Sequence, residues 1–189
     1  MGWEIRGADG RKIMLKLMGA LFLIAGCAGF GWCACMEMDG RIGQLHTLVR
    51  AFAMLEREVG GSMATLPEGM ERVGQKLEGS LGTCFQRIGS IVRAGQEDFS
   101  GATFEETWQK EILDYLKDTC LKKKDRQMLL SFPDYTGFLD GQMQLLNLKQ
   151  FGREMECAEE KAVQEAENRK KAVLSLSVTC GFLAVVVLL

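Results

Sequence analysis

The chain has 189 residues, a formal net charge of −2 and a single histidine. That length leaves room for one domain, and the near-neutral charge provides no basic field, so nucleic acid is excluded as a partner. Leu, Met, Glu, Lys, Gln and Arg are plentiful, prolines occur only at Pro67 and Pro133, and no long run alternates apolar with polar residues, so the composition favours helix over sheet. The sequence reads as all-α: an antiparallel bundle of about five or six helices, flanked by N- and C-terminal transmembrane helices.

Residues 1–13 read as an N-terminal extension, and Met14 makes a credible alternative start. Residues 14–36 read as the first transmembrane helix. Residues 17–36 carry no charge, and such a helix is about 30 Å long, the thickness of a bilayer core. Ala25, Gly29 and Cys33 repeat at spacing four, an arrangement that lets membrane helices pack closely. Ile24-Ala25-Gly26-Cys27 resembles a lipoprotein cleavage box behind a basic front. The chain stays apolar through Met36, however, where a lipidated terminus would turn polar.

Residues 37–171 read as a helical bundle domain. Leu45, Leu48, Val49, Phe52, Leu55 and Val59 follow the spacing of an amphipathic helix that ends at Gly60-Gly61-Ser62. Thr65 or Ser62 with Pro67 and Glu68 marks the next helix start. Helices are expected over about 68–77 and 81–93, weakened by Gly74, Gly79, Gly82 and Gly89 and therefore dependent on packing. Phe104, Trp108, Ile112 and Leu116 form a further apolar stripe, with Ser100 or Thr103 as its cap. Lys122-Lys123-Lys124-Asp125-Arg126 reads as a solvated basic turn that lipid headgroups or an acidic partner could contact.

The last and longest helix is expected from about Leu139. Its 153–167 stretch carries Glu154, Glu156, Glu159, Glu160, Glu165 and Glu167 against Arg153 and Lys161. This is either a solvated face or an acidic stalk for a basic partner. Arg169, Lys170 and Lys171 then precede residues 172–189, an uncharged tail read as the second transmembrane helix. Basic residues before both apolar ends nearly cancel as orientation signals. A start at Met14 would tip the balance toward a cytoplasmic bundle.

Chemistry finds little foothold. The seven cysteines are irregularly spaced, as expected of buried thiols in a reducing compartment. No ligand cluster surrounds His46, which reads as a partly buried helix histidine. No phosphate-binding loop appears, so no enzyme activity, metal or cofactor is expected.

Met14-Leu15-Lys16-Leu17-Met18-Gly19-Ala20, Leu45-x-x-Leu48 through Leu55-Glu56-x-Glu58, and Trp108 resemble the stage III sporulation protein AB family. Phe132, Gly137, Asp140 and Gln144 fall at the spacing of that family's F-x(4)-G-x-x-D-x(3)-Q signature. A long acidic helix with a Lys-Lys end and an apolar tail containing Gly181 follows, so the resemblance covers about residues 14–189. Pro133 stands where the family usually has Gly, and Gly69, Gly79 and Gly82 dilute helices normally richer in Ala and Leu.

The resemblance implies a mother-cell membrane protein of the channel between mother cell and forespore, with a cytoplasmic domain like the helical domain of type II secretion F platform proteins. It also implies coupling of a cytoplasmic ATPase, the stage III sporulation AA type, to other channel membrane proteins. The expected contacts are Asp140 and Gln144, Glu159 and Glu160, and Lys122, Lys123 and Lys124, with the bilayer as a further partner and room for a homo-oligomer. A different class of function, a lipoprotein or membrane-anchored signalling protein with an extracytoplasmic helical domain, is the alternative.

Overall fold

The computed structural model describes the backbone of residues 5–62, 64–98, 103–136 and 141–188. Among these the chain is helical throughout its ordered elements, with no strand. There are seven segments: α1 (Ile5–Gly61), α2 (Leu66–Lys76), α3 (Ser80–Asp98), α4 (Phe104–Leu116), α5 (Lys123–Leu130), α6 (Phe132–Thr136) and α7 (Gly141–Leu188). The count exceeds the expected five or six because Phe132–Thr136 forms a five-residue helix of its own around Pro133. Proline is tolerated there because the first turn of a helix has no partner for its N–H in any case.

The two long helices also correct the expected boundaries. A first helix through residue 36 and a second from about residue 45 are one helix of 57 residues. Residues 37–44 hold no proline, and Gly40 and Gly43 each cost a helix only about 1 kcal/mol, too little to break one whose following turns are buried in the bundle. At the other end, α7 runs 48 residues from Gly141. Most side chains of residues 14–36 and 172–189 lie outside the described residues; among those described, no helix is long and apolar enough to cross a membrane.

The chain divides into two compact units, residues 40–163 and residues 1–39 with 164–189. The core of residues 40–163 is aromatic. Phe52, on the apolar stripe of α1, is fully buried, with ring centroids 5.9 Å from Phe85, 5.0 Å from Phe132 and 4.8 Å from Phe151. Trp108 lies 4.6 Å from Phe132 at 44°. Tilted and edge-on rings of this kind add about 0.5–1.5 kcal/mol per pair beyond the area they bury. The buried indole needs a polar partner, and Trp108 Nε1 donates to the Leu129 carbonyl at 2.9 Å. That carbonyl sits in the last turn of α5, and the residue four positions on, Pro133, has no N–H to give it, so the indole bond also fixes α4 to α5.

Helices α2 and α3 pack so closely that glycine is required between them. A Cβ on Gly74 would stand 2.7 Å from the Gln86 backbone nitrogen, one on Gly89 2.5 Å from the Pro67 carbonyl oxygen, and one on Gly82 would collide with the Leu77 carbonyl. Gly79 turns the chain between the helices with φ +84°, a conformation that L side chains rarely adopt. The glycines expected to weaken these helices are the residues that let them touch.

Local start signals work as the sequence suggests. Thr65 is the N-cap of α2, and its N–H donates to Glu68 Oε2 at 3.2 Å. Thr103, not Ser100, caps α4, accepting from the Glu106 N–H at 3.3 Å while its own N–H donates to Glu106 Oε2 at 3.1 Å. Helix α3 runs to Asp98, beyond the expected end near residue 93.

In the second unit, Lys170 Nζ lies 3.3 Å from Asp39 Oδ1, with both side chains at least half exposed. Surface pairs of this sort stabilise by well under about 1 kcal/mol. Ala25 is exposed, while the side chains of Gly29 and Cys33, the rest of that expected packing face, lie outside the described residues.

Candidate functional site

The most constrained polar feature joins α1 to α5. Arg41 Nε donates to Asp125 Oδ2 at 2.7 Å and Arg41 Nη2 donates to Oδ1 at 3.0 Å. Their side chains are only 10% and 4% exposed. A planar guanidinium matches a carboxylate at two points, which fixes orientation as well as distance. Asp125 also accepts the Lys122 N–H at 3.1 Å, closing the first turn of α5. The lysines of Lys122–Arg126 are exposed, and the segment forms the N-cap and opening turn of a helix held by a buried acid.

The loop before α5 is docked on the same part of α1. Cys120 N–H donates to Gln44 Oε1 at 2.8 Å, and a Cβ on Gly40 would meet Cys120 Sγ at 3.3 Å. Arg126 Nε and Nη2 donate to the carbonyls of Leu121 and Thr119, each at 2.9 Å. With the backbone held this way, Lys122, Lys123 and Lys124 are all exposed.

A second set of contacts joins α7 to its neighbours. His46 Nδ1 lies 2.9 Å from Glu159 Oε1. The His46 side chain is 70% exposed, not partly buried as expected, and the contact is an open surface pair between α1 and α7. Tyr135 Oη donates to Glu154 Oε2 at 2.9 Å, and that bond, with burial, raises the phenol above its ordinary range. Asn147 Nδ2 donates to the Tyr135 carbonyl at 2.8 Å. Two of the acids expected on a stalk, Glu154 and Glu159, thus face bundle partners, while Glu156 and Glu160 are exposed. Gln144 is half-buried at the start of α7; Asp140, its expected companion, lies outside the described residues.

Glu58 links the end of α1 to α2. It accepts from Lys76 and, at 3.4 Å, from Arg72, and the Lys76 hydrogen bond is the main reason its carboxyl lies below the usual range.

Between α3 and α4, Ile91 and Leu113 are 41% and 53% exposed. They lie in a shallow groove edged by the Arg87–Glu111 pair at 3.4 Å and the Lys117–Asp114 pair at 2.9 Å. Little in the sequence signals this groove, because its two apolar residues look like core positions. Cys84 is buried, and burial pushes its thiol up to about 12, whereas Cys120 and Cys157 are exposed, against the expectation of uniformly buried thiols. Among the described residues, no group of three or more His, Cys, Asp or Glu side chains is placed to hold a metal ion.

What these contacts do is hold helices together: among the described residues, buried aromatic rings, a buried ion pair and a series of cross-helix bonds define an all-helical bundle. The profile of the stage III sporulation protein AB family matches residues 16–189, and the chain belongs to that family of sporulation proteins. Stage III sporulation protein AB of Bacillus subtilis (strain 168) is 26% identical over 176 residues, covering 93% of this chain and all of the relative. A solved structure of a stage III sporulation protein AB is similar with a TM-score of 0.58 at 20% identity, over 68% of this chain and 97% of that one. At that identity the likeness speaks for the fold.

Proposed function

We propose that the protein is a membrane-anchored platform subunit of the channel between mother cell and forespore, with its bundle in the mother-cell cytoplasm. In that position it couples a stage III sporulation AA-type ATPase to other channel membrane proteins. The observation that carries the reading is the continuity of the two long helices. Each contributes buried residues to the bundle, Phe52 from α1 and Phe151 from α7, and each continues into a stretch whose sequence is uncharged, residues 17–36 and 172–189. A bundle built on two such helices is held against a bilayer at both ends of the chain. Membership of a sporulation family supports the setting, and the cross-helix ties supply the rigidity that a coupling part needs.

Co-purification of the full-length protein with the AA-type ATPase from native sporulating membranes tests the coupling. Recovery of the ATPase, lost when the exposed charges Glu156 and Glu160 are reversed, is the expected result; recovery of none from intact membranes removes the coupling role. A reporter placed after residue 60 tests the side: cytoplasmic fluorescence is expected, and alkaline phosphatase activity would instead favour an extracytoplasmic anchor protein.

A further inference from the structure

We propose that the outward face shared by α1 and α7 is a docking surface for an acidic helical segment of a partner protein, whose carboxylates Arg50, Arg57, Lys149 and Arg153 hold. Within residues 40–163 the two helices run side by side in one antiparallel register. His46 meets Glu159 at 2.9 Å, Glu56 meets Lys149 at 3.7 Å, and a Cβ on Gly60 would stand 3.2 Å from Leu145. Arg50 follows His46 by about one turn and Arg57 follows it by about three, so both lie on the His46 side of α1. Arg153 follows Lys149 by about one turn of α7, and all four cations are exposed.

These cations stand out against the other arginines of residues 40–163. Arg41 is committed to Asp125, Arg72 to Glu58, Arg87 to Glu111, Arg93 to Glu71, and Arg126 to two backbone carbonyls. Arg50, Arg57 and Arg153 have no hydrogen bond or ion pair among the described residues, and these three gather on the α1–α7 face. Glu56 is the only acid in residues 50–57, and residues 145–153 hold none. The face therefore sets four cations against one acid, in a chain whose net charge is −2. Past Arg153 it turns acidic at Glu156 and Glu160, so the contact proposed above for the ATPase has the opposite sign and calls for a different partner segment.

The shape suits a helix. The same register sets Gly152 opposite Ala53, both half-buried, and a Cβ on Gly152 would meet nothing within 4 Å. The seam between α1 and α7 is low there, with basic side chains along both sides. Arg50 and Arg57 are about 10 Å apart along α1, and Lys149 and Arg153 about 6 Å along α7. These are close to two turns and one turn, the intervals at which glutamates repeat on one helix face. A guanidinium matches a carboxylate at two points. A helix lying in the seam meets bases on both sides, whereas a flat headgroup layer would leave the seam empty.

Fluorescence anisotropy with the full-length protein in a neutral detergent tests the surface. The probe is a labelled helical peptide of Glu, Ala and Leu with its glutamates along one face; its control carries Gln for each Glu. The Glu peptide should bind and the Gln peptide should not, and the binding should fade at high salt. Arg50→Glu with Arg153→Glu should weaken it at least about ten-fold, while Arg50→Lys with Arg153→Lys keeps part of it. Reversal of Lys123 and Lys124, a basic pair elsewhere in the sequence, should leave it unchanged, and circular dichroism should show each variant folded. Failure of the Glu peptide to bind, equal binding of both peptides, or equal loss on reversing the two lysines overturns the proposal. Dihexanoyl phosphatidylglycerol or an oligonucleotide bound at these arginines in place of the peptide assigns the face to another anion and overturns it as well.

Discussion

Arg41 and Asp125, 84 positions apart in the chain, meet in a two-point ion pair that is almost wholly buried. The same carboxylate closes the first turn of α5 through the Lys122 N–H. One acid thus sets both where α5 begins and where it docks.

Removing that acid takes the two-point carboxylate contact away from a buried guanidinium. Asp125→Ala is expected to destabilise the full-length protein by about 3–5 kcal/mol. A double substitution to Met at both positions should cost clearly less, because no unpaired charge remains. Thermal unfolding of the two variants in the same detergent measures the difference, and equal losses would show that the pair is not the source.

The glycines separate into two kinds. Gly82→Ala places a Cβ against the Leu77 carbonyl and is expected to cost about 1–3 kcal/mol as α2 and α3 are forced apart. Gly43 is exposed in the interior of α1 with nothing within 4 Å of an added Cβ, so Gly43→Ala should stabilise by about 0.5–1 kcal/mol. A neutral or stabilising Gly82→Ala would contradict the packing of α2 on α3.

Thiol reactivity should follow burial. The Cys84 thiol, raised from 9.0 to about 12 chiefly by burial, stays protonated at mildly alkaline pH, and the thiolate is the nucleophile. Alkylation should label Cys120 and Cys157 quickly and leave Cys84 unmodified until the protein unfolds, as peptide mass would show. The sign for stability is also fixed. Because the folded thiol resists ionisation more than the unfolded one, its contribution is intact below pH 9 and is lost as pH rises toward 12. Cys84→Ala should flatten that part of the pH profile.

Thr107 is 4% exposed, and its hydroxyl finds no partner among the described residues. A buried hydroxyl without a hydrogen bond costs about 1–3 kcal/mol of desolvation, so Thr107→Val, which keeps the shape, should be neutral or stabilising. A clear loss of stability on thermal unfolding would mean that the hydroxyl has a partner after all.

Much of the bundle is legible in the sequence because its signals are local. The stripe from Leu45 to Leu55 and the caps at Thr65 and Thr103 depend on residues three or four apart, and each became the element it suggested. Tertiary facts were hidden. Asp125 stands among four basic residues and gives no sign of a partner 84 positions earlier. Gly74, Gly82 and Gly89 look like helix breakers until the facing helix is in place. His46 has apolar neighbours in sequence, but it points outward to Glu159 because the helix turns it away from the Phe52 face. Of the expected contact residues, the lysine triad came out exposed as a group, Glu159 was taken up by His46, and the Asp140–Gln144 pairing falls partly outside the described residues.

The platform role requires that two apolar helices hold the bundle to a bilayer. Alkaline carbonate extraction of membranes carrying the full-length protein tests it most directly. The protein should stay in the membrane pellet after carbonate and high salt and leave it only with detergent. Release of the intact chain into the carbonate supernatant would contradict the anchoring, and with it the platform role.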